Sequence, residues 1–390
     1  MIRALWVLVL GAIASGGFAP VAQWWLFPLA LAFFIVHTIN QRAGRRALLS
    51  FMFALGFFAP MLHWSSSFVG SLPWLLLTIM SALFYIPLAI AVRSKRFLWI
   101  IFPALWVAIE FFRNRFPFGG FGWLRIGFSQ VDAPYVRLAS VGGVPLLSLA
   151  TLLLGIAAFQ LAKRGSGLTL PIIAITLTLS GIFVFPNNSP RPTFQVLAVQ
   201  GSVPKLGLDF NERATEVFYR HLTATEKALA KGKKPALIIW PENSVDVDPF
   251  NNPKVGTAIT ELVDKNDVPL IIGAVLRTDG KLQNASILFE PEIGATTNYV
   301  KRHLTPFGEV MPLRSILTFF SDLPNQVEDF TAGESPVIHQ VGQAKMAPII
   351  CFELIDDRLI QSSAGSSNLF VVQTNSATFA NTAQSAQQLA

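Results

Sequence analysis

Apolar residues dominate the first 187 positions of the chain, where they form long runs separated by short polar breaks. Seven such runs can be drawn, at positions 4–18, 21–39, 47–62, 72–92, 97–112, 140–162 and 168–186. Several of them approach the roughly 20 residues that a helix needs to cross a bilayer. The pattern therefore predicts a polytopic α-helical membrane domain with seven transmembrane helices over residues 1–187.

Basic residues mark every second break between these runs. They are Arg3, the cluster at 42–46, the cluster at 93–96 and the pair at 163–164. The break at 63–71 has no lysine or arginine, and the arginine-bearing loop 113–139 is long and falls on the side opposite the other basic breaks. Because cytoplasmic loops carry an excess of Lys and Arg, we expect a cytoplasmic amino terminus and an outer-face location for the residues after 187.

One acidic residue interrupts the apolar pattern. Glu110 lies near the end of the fifth run, where a carboxylate is costly in lipid. We expect it to form an interfacial ion pair with Arg113, three positions further along a helix, in preference to a role in substrate binding.

After position 187 the apolar runs shorten to five to eight residues and alternate with polar stretches. Strand-like runs occur at 194–200, 236–240, 269–275, 284–289, 346–352 and 369–373. Helix candidates occur at 211–231, 253–265 and 355–363. This alternation predicts an α/β layered domain over residues 188–390, with strands that are buried on both faces.

Two segments of the second half have less regular patterns. In the helix 211–231, apolar residues such as Phe218 and Leu222 share one face, which Thr225 interrupts. The stretch 311–320 is unusually apolar for a loop. It is either a short core helix or a flap that enters the bilayer or covers an acyl chain.

The charge distribution agrees with this division of the chain. The net charge is +7, but residues 1–187 hold thirteen Lys and Arg and only two acids, whereas the remainder is mildly acidic. The positive charge therefore reflects membrane topology. No basic cluster with interleaved aromatic residues is present, so we expect no nucleic-acid partner.

Three polar motifs follow strand-like runs in the second half. They are Trp240-Pro241-Glu242-Asn243, the segment Lys301–Glu309, and Cys351-Phe352-Glu353. A thiol with an ordinary pKa is mostly protonated at neutral pH and needs a nearby base, which Glu242 could provide, and Lys301 could stabilise an oxyanion. Glu309 could hold Lys301, and Glu353 could bond a neighbour in the same pocket.

Each of these residues by itself is weak evidence for a catalytic site. Cys351 is the only cysteine, so it cannot form an internal disulfide, and a lone cysteine in an apolar strand is as often a core residue as a nucleophile. Glutamate and lysine at strand ends are usually solvated. The combination of the three motifs, with their flanking Pro and Gly residues, favours a cysteine nucleophile with its own base and oxyanion partner.

These motifs resemble the three catalytic motifs of the nitrilase, or carbon-nitrogen hydrolase, superfamily. Together with seven preceding apolar runs, the segment Glu110–Arg113 before a Gly/Phe/Trp loop, and the segment Val199–Pro204, they resemble the membrane-embedded apolipoprotein N-acyltransferase family over essentially the whole chain. The resemblance implies Glu242 as general base, Lys301 as oxyanion stabiliser and Cys351 as nucleophile, with Glu309 and Glu353 in support. It also implies an αββα sandwich for the second half.

The implied reaction is a two-step acyl transfer. A fatty acyl chain passes from a phospholipid to Cys351 as a thioester, and then to the amino-terminal amine of a diacylglyceryl-cysteine apolipoprotein. The implied setting is the bacterial cytoplasmic membrane, with the catalytic domain on its outer face, and the implied partners are the phospholipid donor, the apolipoprotein acceptor and membrane lipids. The resemblance implies no cofactor, and the five histidines are scattered with no metal-ligand spacing such as His-Glu-x-x-His.

Two departures from the family pattern are visible. The closing segment reads Thr374-Asn375-Ser376-Ala377-Thr378-Phe379-Ala380, where many members have Thr-Asn-Asp-Ala-Trp-Phe-Gly. Residues 188–390 are also expected to lack the family's last strands and final membrane helix. Two alternatives therefore stay open: a membrane-anchored nitrilase-like amidase or hydrolase with the same site, and an inactive or fragmentary homologue that only binds lipoproteins.

Overall fold

The computed structural model describes residues 1–67, 70–93, 95–163, 168–184, 193–202, 215–232, 234–312, 314–319, 325, 328–379 and 381–390. The chain divides into two compact units. One comprises Met1–Pro190 together with Phe379–Ala390, and the other comprises Arg191–Thr378. The expected domain boundary at 187/188 lies outside the described residues.

The first unit is helical throughout its regular structure. Its helices are α1 (Ile2–Ser15), α2 (Leu26–Thr38), α3 (Ala43–Met61), α4 (Ser71–Leu83), α5 (Leu88–Ala91), α6 (Lys95–Leu98), α7 (Ile101–Arg113), α8 (Ala139–Ala162), α9 (Thr169–Leu179) and α14 (Gln384–Leu389). Each of the seven apolar runs overlaps at least one of these helices. Among the described residues, two stretches, Ser71–Ala91 and Val136–Ala162, are long and apolar enough to cross a membrane.

Helices α1 and α3 approach each other through glycine. A Cβ atom added to Gly11 would lie 2.0 Å from the carbonyl oxygen of Phe53, and one added to Gly56 would lie 1.9 Å from the carbonyl oxygen of Leu8. Small residues at such positions let two helix backbones touch, which is how apolar helices associate where the hydrophobic effect is weak.

Glu110 is buried within the helical unit, but its partners differ from those expected. Its Oε1 accepts a hydrogen bond of 2.7 Å from the backbone N–H of Ile126, and its Oε2 accepts one of 2.8 Å from the hydroxyl of Ser148. Arg113 instead donates to the carbonyl oxygen of Phe121 at 2.9 Å. The expected interfacial ion pair is therefore wrong: helix α7 buries both side chains, and each finds other partners.

The second unit contains two β-sheets. Its strands are β1 (Val196–Ala198), β2 (Leu237–Ile239), β3 (Leu270–Thr278), β4 (Lys281–Glu290), β5 (Gly294–Val300), β6 (His339–Val341), β7 (Ala344–Ile350) and β8 (Leu369–Gln373). The first sheet has the order β1-β2-β3-β4-β5, and the second has the order β6-β7-β8. Strands β1, β2 and β3 are parallel, whereas β3, β4 and β5 are antiparallel, so β5 again runs in the direction of β3.

Alternating side chains of the first sheet fill two separate cores. Leu237, Ile271 and Leu288 point towards the second sheet, where they pack with Met346 and Val371. Their neighbours along the strands point the other way, as the period of two in a strand requires, and pack against two helices. These helices are α10 (Glu216–Leu229) and α11 (Pro253–Asn266).

The remaining helices of this unit are α12 (Arg314–Leu317) and α13 (Asp357–Ala364). Helix α13 contacts β7 of the second sheet. The layers are thus those of the αββα sandwich that the resemblance implied. Helix α12 lies in the apolar stretch 311–320, part of which falls outside the described residues, so the choice between a core helix and a flap stays a prediction.

The six expected strands and three expected helices of this unit are present; the strand at 369–373 has the expected bounds, and the others have shifted ends. Two strands were missed. Strand β5 reads Gly-Ala-Thr-Thr-Asn-Tyr-Val and is largely solvent-exposed, so it has no apolar run to detect. Strand β6 has only three residues. Thr225, the polar residue on the apolar face of α10, is buried, and its hydroxyl accepts a 2.9 Å hydrogen bond from Trp240 Nε1.

Candidate active site

Each of the three motifs begins where a strand ends. Glu242 follows β2, Lys301 follows β5 and Cys351 follows β7. The fold brings the first two together directly: Nζ of Lys301 lies 3.5 Å from Oε1 of Glu242. Cys351 lies close enough to both charges for each to shift its pKa. The structure therefore gathers the predicted Glu242, Lys301 and Cys351 into one cluster.

Lys301 is enclosed by acceptors. Its side chain is 1% exposed, and its Nζ lies 2.7 Å from Oε2 of Glu309. The same nitrogen donates to the hydroxyl of Thr305 at 3.2 Å. Burial by itself would lower the pKa of this ammonium, but Glu242 and Glu309 outweigh burial, and the pKa is raised above its ordinary value. Lys301 is therefore a fixed positive charge within the cluster.

The two carboxylates beside Lys301 differ in electrostatic state. Burial raises the pKa of Glu242, and the nearby Glu309 adds to the rise, while Lys301 opposes it. For Glu309, Lys301 outweighs the effect of burial and lowers the pKa. Glu309 is thus the ionised partner of the lysine, and Glu242 is the carboxylate that more readily holds a proton.

Backbone geometry fixes the position of Glu242. Its Oε2 accepts a hydrogen bond of 2.8 Å from the backbone N–H of Asn375, in the closing segment that departs from the family pattern. Strand β3 passes very close to the turn that carries it. A Cβ atom added to Gly273 would lie 2.4 Å from the carbonyl oxygen of Pro241 and 2.7 Å from Cα of Glu242. Only glycine permits this approach.

Cys351 occupies a strained turn between β7 and a short 3-10 helix, Cys351–Ile355. Its φ of 49° lies in the left-handed region, which costs a non-glycine residue free energy and is typical of functional sites. Burial raises the pKa of its thiol to about 12, and Glu242 adds to the rise, whereas Lys301 and a hydrogen bond with Thr374 oppose it. The resting side chain is therefore a protonated thiol, and a base is needed to activate it.

Glu353 supports the turn that carries Cys351 and does not contact the lysine ammonium. It is fully buried, and its Oε2 accepts from the backbone N–H of Ile350 at 2.8 Å. Its Oε1 accepts from the hydroxyl of Tyr299 and from the backbone N–H of Arg302, both at 2.7 Å. One carboxylate thus ties the turn at Cys351 to the segment that follows β5.

Sequence reasoning missed one polar residue at the centre of the cluster. Asn284 lies within β4, is 1% exposed, and donates from Nδ2 to Oε1 of Glu242 at 2.8 Å and to Oε1 of Glu309 at 2.7 Å. The available signal was an asparagine at an inward-facing position of an apolar strand, because buried polar groups need partners.

His303 lies between the lysine segment and the residues that follow Cys351. Its Nδ1 lies 3.1 Å from Oδ2 of Asp356, and its ring packs edge-on against Phe352 at 5.2 Å between centroids. Asp356 accepts from the backbone N–H of Arg358 and so caps helix α13. The histidine therefore links the lysine segment to the helix that follows the nucleophile.

Comparison with known proteins identifies the family of this chain. The apolipoprotein N-acyltransferase N-terminal domain matches residues 10–157, and the carbon-nitrogen hydrolase family matches residues 196–388. An apolipoprotein N-acyltransferase of Mycolicibacterium smegmatis (strain ATCC 700084 / mc(2)155) is 32% identical over 430 residues, covering 98% of this chain and 72% of that protein. The chain belongs to the apolipoprotein N-acyltransferase family. It is an acyltransferase, and its reaction is lipoprotein N-acylation.

More distant members of the family match over a similar extent. The apolipoprotein N-acyltransferase of Geobacter metallireducens (strain ATCC 53774 / DSM 7210 / GS-15) is 27% identical and covers 96% of this chain and 76% of its own length. Among solved structures, a carbon-nitrogen hydrolase from Helicobacter pylori G27 is 18% identical, covers 46% of this chain and 59% of its own, and has a TM-score of 0.33. The fold assignment therefore depends on the family match and the two-sheet architecture described above.

Proposed function

We propose that Cys351 takes a fatty acyl chain from a phospholipid as a thioester and passes it to the amino-terminal amine of a diacylglyceryl-cysteine apolipoprotein. Glu242 is the general base and acid, Lys301 stabilises the oxyanion, and Glu309 and Glu353 hold the machinery in place. The observation that carries this proposal is the buried cluster itself, in which Lys301 lies 3.5 Å from Glu242 and both charges act on the thiol of Cys351.

In the first step the thiol proton moves to Glu242 and the sulfur attacks the ester carbonyl of the phospholipid. A C–S bond forms, and the carbonyl oxygen becomes an oxyanion beside the Lys301 ammonium. Collapse of this intermediate breaks the ester C–O bond. Glu242 then returns its proton to the departing oxygen, which leaves as the hydroxyl of a lysophospholipid.

In the second step the amine of the apolipoprotein attacks the thioester. Glu242 takes a proton from the amine nitrogen, the C–N bond of the amide forms, and the C–S bond breaks. The proton goes to the sulfur, which restores the thiol. A thioester is reactive towards an amine and also towards water, so transfer requires that water be kept from the acyl-enzyme.

We place this chemistry at the outer face of the bacterial cytoplasmic membrane. Residues 1–187 form the multi-pass membrane domain with a cytoplasmic amino terminus, and residues 188–390 form the catalytic domain. Support comes from the basic residues at every second break and from the helices that overlap the seven apolar runs. Both proposed substrates carry acyl chains, which accounts for a catalytic domain joined to a membrane domain.

The mass of the intact protein after incubation with phospholipid vesicles tests the donor and the intermediate. We expect an added mass of one acyl chain, its loss on treatment with neutral hydroxylamine, and release of lysophospholipid. Adding a diacylglyceryl lipopeptide should move the chain to the peptide amine. Release of fatty acid without amide product would instead identify a hydrolase.

Two variants separate the chemistry from simple lipid binding. Cys351→Ala should remove both the adduct and the amide product, and Cys351→Ser should give no adduct that neutral hydroxylamine releases. An unchanged yield of acylated lipopeptide from Cys351→Ala would refute the assignment of the nucleophile.

The proposed topology has its own test, made possible by the single cysteine. In the Cys351→Ala background, cysteine is introduced at the exposed Ser67 or at the exposed Asn40. A maleimide that cannot cross the membrane should label Ser67→Cys on intact cells and leave Asn40→Cys unlabelled. The reverse pattern would overturn the orientation.

A further inference from the structure

We propose that Asn284 is a positioning residue that gives the carboxylates of Glu242 and Glu309 different roles. It holds Glu309 as the lysine's counter-ion and directs the proton that leaves Cys351 to Oε2 of Glu242. This inference rests on the proposed function of the cluster and assigns a role to a residue outside the Glu-Lys-Cys triad.

The side-chain amide of Asn284 bridges the two acids. Its Nδ2 donates to Oε1 of Glu242 at 2.8 Å and to Oε1 of Glu309 at 2.7 Å. An amide nitrogen carries two hydrogens, so these two bonds use its whole donor capacity. The backbone oxygen of the same residue accepts from the backbone N–H of Lys301 at 2.8 Å, so Asn284 contacts all three charged residues around the thiol.

The orientation of this amide follows from its neighbours. With the oxygen and nitrogen exchanged, Oδ1 would face two carboxylate oxygens, all of them acceptors. In the observed orientation Oδ1 is buried and has no hydrogen-bond partner in the part of the chain that the structure describes. A buried acceptor without a partner lowers the stability of the folded protein. The two carboxylates therefore fix the orientation of the Asn284 amide even though its oxygen is left without a bond.

The hydrogen bonds determine which carboxylate oxygen can receive a proton. On Glu309, Oε1 faces Asn284, and Oε2 faces both Nζ of Lys301 at 2.7 Å and the backbone N–H of Thr305 at 2.8 Å. Every oxygen of Glu309 therefore meets a strong donor. A proton on Oε2 would displace one of its two bonds, and a proton on either oxygen would remove the negative charge that lies nearest the Lys301 ammonium.

The carboxylate oxygens of Glu242 receive fewer short hydrogen bonds than those of Glu309. Its Oε1 faces the Asn284 amide and, at the longer distance of 3.5 Å, Nζ of Lys301. Its Oε2 accepts from the backbone N–H of Asn375 at 2.8 Å, which leaves a lone pair on that oxygen for a proton. When the S–H bond of Cys351 breaks, the new O–H bond forms on Oε2, and the Asn284 hydrogen bond to Oε1 persists through the transfer.

Two replacements of Asn284 test this role. Asn284→Asp keeps the shape, removes both donors and adds a third acid, while Asn284→Ala removes the donors without adding charge. Loss of the donors raises the pKa of Glu242, so the base stays protonated to higher pH. Gln283→Glu is the matched control, because it adds an acid at the adjacent, partly exposed position of β4, where the side chain of Gln283 accepts a hydrogen bond from the hydroxyl of Thr278.

The measurement is acylation of Cys351 by a p-nitrophenyl ester of a fatty acid, using the whole protein in detergent. It follows nitrophenolate release and protein mass as a function of pH, and it involves no phospholipid. We expect Asn284→Asp to lower the rate at neutral pH by about 10²-fold or more and to move the acidic limb of the profile upwards by about one pH unit. Asn284→Ala should move it by less, and Gln283→Glu should leave it in place.

The outcomes separate this inference from the proposed function. An Asn284→Ala or Asn284→Asp enzyme that is slower at every pH, with the acidic limb unmoved, would overturn the positioning role and leave only a structural one. If the unchanged protein is not acylated at Cys351, or if Glu242→Gln is as fast as the unchanged protein, the proposed function itself fails. A limb that moves in both Asn284 variants and not in Gln283→Glu supports the inference.

Discussion

Nζ of Lys301 lies 2.7 Å from Oε2 of Glu309, and the two side chains are only 1% and 12% exposed. The distance from the same nitrogen to the proposed base is longer, at 3.5 Å. The positive charge is therefore compensated mainly by Glu309. This leaves Glu242 as the carboxylate that can accept and return a proton.

Replacing Glu309 with glutamine should slow acylation of Cys351 by about 10²-fold or more. Lys301 would then pair with Glu242 and lower its pKa, which weakens the base. The free energy of unfolding should also fall, by less than the roughly 3–5 kcal/mol seen when a buried charge is left unpaired, because Glu242 remains as a partner. Time-resolved protein mass and thermal unfolding measure the two effects.

The control for that variant is Glu328→Gln. Glu328 pairs with Arg277 at 2.9 Å, but the two side chains are 54% and 50% exposed. A surface pair of this kind is screened by solvent and contributes little, so the control should change neither acylation nor unfolding appreciably. Equal effects of the two variants would contradict the role given to Glu309.

Replacing Glu242 with glutamine should remove the base while keeping its shape. We expect acylation to slow by about 10²-fold or more and its acidic limb to disappear. The sign follows from the raised pKa: below it the carboxyl is protonated and cannot accept the thiol proton, so the unchanged enzyme loses activity as the pH falls. A persistent acidic limb in Glu242→Gln would show that another group is the base.

The half-buried thiol of Cys351 should react slowly with iodoacetamide. With a pKa raised to about 12, only a small fraction of Cys351 is thiolate at pH 8. The rate should be on the order of 10³-fold below that of a thiol with an ordinary pKa near 8.5, and it should rise with pH. Ser67→Cys in the Cys351→Ala background supplies the exposed reference thiol, and similar rates at the two positions would refute the prediction.

Replacing Gly273 with alanine should disturb the base from a distance. The new Cβ atom would overlap the carbonyl oxygen of Pro241 and Cα of Glu242, both under 3 Å away, so the turn must shift. Acylation should fall by at least about tenfold, and the loss should lie in kcat, because a small misplacement of a catalytic group affects the chemical step. Gly365→Ala is the control, since a Cβ atom there meets no heavy atom within 4 Å.

The stability of the α/β unit should fall with acid through His339. This histidine is fully buried between the hydroxyls of Ser286 and Thr297, and burial lowers its pKa to about 4. A lowered pKa in the folded state means that its contribution is complete above about pH 6.5 and is lost as the pH falls towards 4.

The full effect is about 3 kcal/mol, since one pKa unit corresponds to about 1.36 kcal/mol. Unfolding followed by tryptophan fluorescence between pH 7 and 4 measures it. His339→Gln should flatten this pH dependence, whereas the same change at the exposed His63 should not. An unaltered slope in His339→Gln would contradict the prediction.

The sequence predicted the parts of the site that follow apolar strands. Glu242, Lys301 and Cys351 each come directly after a strand, and two of those strands were recognised from their hydrophobic runs. Strand β5 was not, because its residues are polar and largely exposed, and Lys301 was placed by its motif instead. The end of a strand can be predicted from the sequence because it depends on the residues immediately around it.

The contacts between motifs could not be predicted in the same way. Asn284 lies 42 residues after Glu242 and 25 residues before Glu309, and only the packing of β4 shows that one amide bonds both. Thr225 appeared to interrupt an apolar face because its partner, Trp240, lies on another element. The predicted Glu110–Arg113 ion pair was wrong for a related reason. Helix spacing favours that contact, but each side chain bonds a partner on another segment instead.

The burial that raises the pKa of Cys351 also bears on how long the enzyme lasts. Oxidants attack thiolates far faster than thiols, and the outer face of the membrane, where we place this sulfur, lacks the reducing systems of the cytosol. A nucleophile that is ionised only while substrate and base are engaged offers such oxidants little to attack. The Cys351 thiol is thereby protected from oxidation between turnovers.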